Sequence, residues 1–259
     1  MTESRRTDMH PSAALIADQQ GLAEISLLSY RARGIDLVHD IDSGPNGITW
    51  TGDANLFKAQ CRLNANVVDQ IIAMVPTITD KRGLHFVVRE DFDIASGAMT
   101  WWGAMAWASW LSLTRYAGAG GWRLCSAAGC NGSPPRTGSG VICSELGRLY
   151  YAGGCIDAGN PITTNRKLTG AFSNLQNDVY WTCTEYVANA DGAWLFSTSD
   201  GSQCFGAKKH KRLAWAVHEG PVGAVRPQDA SPLERLLGLA TLDISGCRRR
   251  QVQRAALLR

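Results

Sequence analysis

Residues 179–220 constrain this chain more than any other stretch, because three tryptophans fall in three separate apolar runs punctuated by turn residues. Val179, Tyr180 and Trp181, followed by Thr182, Thr184 and Tyr186, have the aromatic and β-branched composition of a strand that is part core and part surface. Asn189, Asp191 and Gly192 signal a turn, and residues 193–196 read as a second buried strand. Asp200-Gly201 marks a tight hairpin with a return strand over residues 202–205. A basic run at residues 208–212 then leads into a last strand over residues 213–217. The pattern predicts an antiparallel meander with Trp181, Trp194 and Trp215 in its core. The same stretch places Cys183 and Cys204 on what read as neighbouring strands, which makes them the candidate disulfide pair.

The rest of the chain reads as α and β segments separated by long loops. Residues 1–32 lack strong periodicity and are expected to be a poorly ordered leader. Residues 35–40 and 48–50 predict a hairpin across the turn at residues 43–47. Val67, Val68, Ile71, Ile72 and Val75 fall on one face of a helix that Pro76 ends. Thr100 is a candidate N-cap for a helix over residues 101–113, with Trp102, Ala106, Trp107 and Trp110 on one stripe and Trp101 off it. Residues 77–98 read as a surface excursion, residues 122–124 as a short strand, and residues 144–151 as one to two turns of helix. Residues 125–141 and 153–170 read as loops.

Charge and cysteine usage narrow the function classes. The formal net charge is +3, but residues 226–259 carry seven arginines against Asp229, Glu234 and Asp243. Residues 1–225 then hold 19 basic and 20 acidic groups, too even a balance for a phosphate-matching face, so a nucleic-acid partner is not expected. The eight cysteines include no CxxC pair, and their spacing matches no zinc site, so neither a metal nor another cofactor is implied. No stretch approaches the ~20 apolar residues of a membrane span. The polar start and the short apolar run at residues 13–17 contain no signal peptide, so the N-terminal segment alone reads as cytoplasmic.

Four ordered blocks carry a family resemblance. They are Gly34-x-Asp36-Leu37-Val38-x-Asp40 with Ile48-Thr49-Trp50 and Asp53-Ala54-Asn55; Met99-Thr100-Trp101 through Ala106-Trp107-Ala108, with Trp122-Arg123-Leu124; Ser144-Glu145-Leu146-Gly147-x-Leu149-Tyr150-Tyr151; and Phe172-Ser173-Asn174-Leu175-Gln176, with Tyr180-Trp181 and Thr184-Glu185-Tyr186, closing at Ala193-Trp194 and Ala214-Trp215-Ala216-Val217. Over residues 33–220 these blocks resemble the domain of unknown function at the C-terminus of the collagen-like surface adhesin Lcl. They resemble more closely the exported bacterial proteins that join this domain to a PEP-CTERM sorting tail. The resemblance implies an α+β, C-type-lectin-like domain: a twisted antiparallel sheet, two flanking helices and long loops. It also implies a place outside the cell or in the envelope and no established catalytic activity. Residues 221–259 resemble a degenerate PEP-CTERM tail, with residues 225–231 in place of the Pro-Glu-Pro element and Arg248, Arg249 and Arg250 as the basic stop. Departures from the family pattern are Cys125 after Trp-Arg-Leu and His218-Glu219 near the end of the domain.

No nucleophile elbow, HExxH helix, P-loop or dinucleotide fingerprint is present in the sequence. The favoured function is therefore a non-catalytic binding module. Lys208, Lys209, Lys211 and Arg212 form the candidate patch for an anionic glycan or other envelope polymer, and Trp101 is a candidate for stacking on a sugar ring. The plain alternative is a solvated connection at residues 208–212 and core tryptophans throughout. A glycan-cleaving enzyme is the competing class and needs carboxylates such as Asp53, Glu145 and Glu185 to converge in one cleft. A degenerate copy without function is the third reading.

Overall fold

The computed structural model describes residues 27–32, 35–40, 47–129 and 132–222. Residues 1–26 of the expected leader and residues 223–259 of the tail expected over residues 221–259 lie outside the described residues. The fold is mixed α and β, with thirteen strands and five α-helices among the described residues.

One antiparallel sheet of five strands runs β1 (Leu27–Ala32), β2 (Ile35–Asp40), β3 (Ile48–Thr51), β13 (Ala216–Glu219) and β8 (Arg123–Leu124). The expected pairing of residues 35–40 with residues 48–50 is present, with Val38 opposite Trp50, and the expected turn lies outside the described residues except for Gly47. The leader boundary shifts, because Leu27–Ala32 pairs along the whole of β2, from Leu27 opposite Asp40 to Ala32 opposite Ile35. This edge strand lies in residues that the sequence reading placed in the leader.

The second sheet has four strands in the order β11 (Gln203–Ala207), β10 (Gly192–Ser197), β9 (Val179–Glu185) and β12 (Leu213–Ala214). The first three form the expected meander. Its β10–β11 turn needs Gly201, at φ +78°, where an added Cβ would stand 2.5 Å from Tyr151 Oη and 2.6 Å from Tyr150 Cε1. The expected fourth strand does not stay beside β11. It crosses the sheet, pairs parallel with β9 (Leu213 opposite Tyr180), and continues as β13 into the other sheet.

That crossing explains the core. Side chains alternate along an extended segment, so Leu213, Trp215 and Val217 enter one apolar cluster while Ala214 and Ala216 enter another. Trp215 is fully buried, packs edge-on against Trp50 and Phe172 at 5.1 and 4.9 Å between ring centroids, and donates its indole N–H to Thr51 O at 3.0 Å. Trp181 and Trp194 are buried as expected, at 0% and 5% exposure.

The other cluster is built on helices α1 (Leu56–Leu63), α2 (Val67–Met74) and α3 (Trp101–Leu113). Pro76 lies just beyond α2 and Thr100 caps α3, its Oγ1 accepting from Gly103 N at 3.2 Å. Helix α3 is buried on nearly all sides rather than along one stripe, and Trp101 is inside while Trp102 is half-buried. The reason is its position: the two antiparallel hairpins β4 (Thr77–Asp80)–β5 (Gly83–Phe86) and β6 (Phe92–Asp93)–β7 (Ala98–Met99) occupy the expected surface excursion and pack around its start. Helix α4 (Glu145–Arg148), capped by Ser144, runs into a π-helical turn at Leu149–Gly153. Helix α5 (Arg166–Ala171) lies in a segment read as loop, where Asn165 Oδ1 caps it by accepting from Leu168 N.

Candidate functional site

The candidate basic patch begins where β11 ends, and the fold divides it. The backbone of residues 208–212 is clamped at both ends. Lys208 N donates to Asp191 O and Trp101 N donates to Lys208 O, while Met99 and Arg212 exchange both backbone hydrogen bonds at 2.8 Å. This clamp turns the Lys208 side chain inward, where it is fully buried, and leaves Lys209, His210, Lys211 and Arg212 at the surface. Lys208 therefore leaves the candidate ligand patch.

Lys208 Nζ lies 2.6 Å from Asp80 Oδ2 and 3.0 Å from Glu185 Oε2. It also sits 4.6 Å from the ring centroid of Trp101 and 6.0 Å from that of Trp102. Each carboxylate has further donors. Asp80 Oδ2 accepts from Trp102 Nε1 at 2.9 Å, Asp80 Oδ1 accepts from Arg82 N at 2.8 Å, and Glu185 Oε2 accepts from Lys81 N at 3.0 Å. Burial acts to raise the Asp80 pKa, but the hydrogen bonds from Lys208, Trp102 and Arg82 N outweigh it and hold the carboxyl below the ordinary aspartate value. The sequence could not show this cluster, since its acids come from the end of β4 and the end of β9.

Trp101 does not face solvent. It is 2% exposed, and its indole N–H donates to Thr182 O at 2.8 Å, so no sugar ring reaches it. The position after an N-cap that packs against two sheets is interior, whatever its place on a helical wheel. The surface aromatic cluster lies elsewhere. Phe205, 44% exposed, stacks on Tyr186 at 3.9 Å between centroids, and both meet Trp194 edge-on. These residues read from sequence only as strand positions.

The exposed cations differ in their surroundings. Lys211 Nζ donates to Phe92 O at 3.3 Å, and its charge adds a minor pull to Asp93, whose pKa is lowered chiefly by the Ser96 hydroxyl. Arg212 Nη1 donates to the carbonyl of Lys211 at 3.5 Å.

The three carboxylates considered for catalysis belong to separate networks. Glu145 forms a two-pronged pair with Arg123 at 2.6 and 2.7 Å and accepts from Ser126 N. Asp53 holds the corner between β3 and α1, accepting from Asn55 N and from Asn174 Nδ2. Glu185 belongs to the Lys208 cluster. A cleft of about 450 Å³ is lined by Asp36, Gly52, Thr169, Gly170 and Ser173 among others, and none of those three carboxylates lines it.

The candidate disulfide is corrected as well. Cys183 is disulfide-bonded, as is Cys143, whereas Cys204 is an exposed free thiol. Strand β10 lies between the strands that carry Cys183 and Cys204. Two strand spacings put their backbones roughly 9–10 Å apart, beyond the ~7 Å that a disulfide spans. Among the described residues no group of three or more His, Cys, Asp or Glu side chains could hold a metal ion, and no helix is long and apolar enough to cross a membrane.

Compared with known proteins, the chain matches no family model, no curated protein and no solved structure.

Proposed function

We propose that this chain is a non-catalytic binding module of the exported bacterial type that its sequence blocks resemble, and that its ligand is an acidic glycan or similar envelope polymer. The observation that carries this reading is the loop of residues 208–212. Its backbone is fixed at both ends by Trp101, Asp191 and the Met99–Arg212 bridge, so Lys209, Lys211 and Arg212 are displayed on a rigid support. A preordered display of cations lowers the entropy cost of binding a polyanion, and a near-neutral body does not compete for it. The separate networks of Asp53, Glu145 and Glu185 support binding over glycan cleavage, which needs two carboxyl groups facing one bond.

A glycan and heparin panel at low and at physiological salt tests the reading. Binding should weaken steeply as salt rises, because exposed charges are screened beyond about 8–10 Å. The triple substitution Lys209→Ser, Lys211→Ser, Arg212→Ser, with Lys208 kept, should abolish binding while the fold is retained. Binding that survives the triple substitution, or that ignores salt, refutes the proposal.

A further inference from the structure

The cluster under the basic loop holds the parts of a condensation reaction: an amine, a carboxyl group in contact with it, and a second carboxylate able to carry protons. We propose that Lys208 Nζ and Asp80 Cγ condense into an intramolecular amide, with Glu185 as the proton carrier.

The geometry supplies each requirement. Lys208 Nζ touches Asp80 Oδ2 at 2.6 Å, and the two side chains are 0% and 2% exposed. Glu185 Oε2 is 3.0 Å from the same nitrogen and 14% exposed. Asp80, not Glu185, is the acyl partner. It is the closer and the more deeply buried, and both its oxygens are held by N–H donors, Oδ1 by Arg82 N at 2.8 Å and Oδ2 by Trp102 Nε1 at 2.9 Å. Trp101 and Trp102 lie against the amine and exclude water, which would otherwise reverse the reaction.

The step balances without a co-reactant. A proton passes from the ammonium to Asp80 Oδ2 across their contact, leaving an amine beside a carboxylic acid. The hydrogen bonds that hold Asp80 below its ordinary pKa keep this neutral pair a minor form, and the attack starts from it. Nζ then attacks Cγ, and the negative charge that develops on Oδ1 is met by Arg82 N–H, a fixed donor of the oxyanion type. Glu185 Oε2 takes a second proton from Nζ and delivers it to Oδ2. The Cγ–Oδ2 bond breaks, Oδ2 leaves as water, and Glu185 returns to its carboxylate form. One N–C bond has formed, one C–O bond has broken, and no electrons have changed hands. The product ties the β4–β5 hairpin to the loop after β11, across 128 positions of sequence.

Mass spectrometry of the purified full-length chain, with disulfides reduced, tests the proposal. The wild-type chain should be lighter than its sequence by one water. Trypsin should yield residues 63–81 linked to residues 168–209, with no cleavage after Lys208. Lys208→Arg, which keeps the cation but offers no amine nucleophile, should have the full sequence mass. So should Glu185→Gln, the second variant should Lys208→Arg fail to fold. A folded wild-type chain of full sequence mass, or a link between other residues, overturns the proposal. A Glu185→Gln chain that forms the bond as completely as wild type overturns the role given to Glu185.

Discussion

Lys208 and Lys209 are adjacent in one basic run, yet the fold uses them in opposite ways. Lys208 is buried against two carboxylates and two indole rings, while Lys209 is exposed. The difference follows from backbone hydrogen bonds, not from the side chains, which are identical. Trp101 N and Asp191 O hold the backbone of residue 208 on both sides and direct its side chain inward, and the turn that follows directs the next outward. A dense basic run is therefore not automatically a patch, and the charge available to a ligand here is smaller than composition suggests.

Substitution separates these two roles most sharply at Lys208. Compared with Lys208→Arg, which keeps the cation and cannot form the amide, Lys208→Ala leaves the carboxylates of Asp80 and Glu185 without their cation, and breaking a buried pair in this way costs about 3–5 kcal/mol. Urea unfolding followed by tryptophan fluorescence measures the loss. An effect under about 1 kcal/mol at neutral pH would place Lys208 in the same class as its neighbour.

The cost should also depend on pH. While its carboxyl is unlinked, Asp80 is held below its ordinary pKa, so the stability it contributes is complete above the unfolded-state value of about 4 and is lost as pH falls through the lower folded value. In Lys208→Ala the hydrogen bond that does most to lower the Asp80 pKa is gone, and burial then favours the protonated acid. The gap between Lys208→Arg and Lys208→Ala should accordingly narrow as the pH falls below about 4. A gap that widens on acidification would contradict the ionic account of this cluster.

A smaller effect is expected at Thr100, whose hydroxyl accepts from Gly103 N and donates to the buried Asp91 at 2.6 Å. Thr100→Ala removes the cap and one partner of Asp91 together, at a cost of about 1–2 kcal/mol. Urea unfolding reads this loss, and a cost below about 0.5 kcal/mol would show that the start of α3 is held by packing alone. Smallest is Lys209→Ser, expected to change stability by no more than about 0.5 kcal/mol. A larger loss would mean that the exposed half of the run is also structural.

Local signals in the sequence were sound wherever one short segment carried the information. Thr100 before an apolar stretch, Pro76 after one and Asp200-Gly201 between strands each mark a boundary found in the structure. Such signals act through the nearest backbone groups, so neighbours in sequence suffice. Helix α1 and helix α5 escaped because each is short and its cap, at Asn55 or Asn165, resembles an ordinary loop residue.

The sequence by itself determined the alternation that divides residues 213–217 between two cores, through the two-residue period of extended backbone, and the turn chemistry that forms the meander, through residues such as Gly201 that adopt positive φ. Tertiary structure alone decided that this segment leaves β11, pairs parallel with β9 and ends in the other sheet. It decided that Cys183 and Cys204 stand apart with β10 between them, and that Trp101 lies within the core. It also brought Asp80 and Glu185 to Lys208, across 128 and 23 positions of sequence. The physical reason is the same in each case: strand order and side-chain burial follow from which surfaces can be covered together, and contacts between distant segments leave no periodic trace in either one.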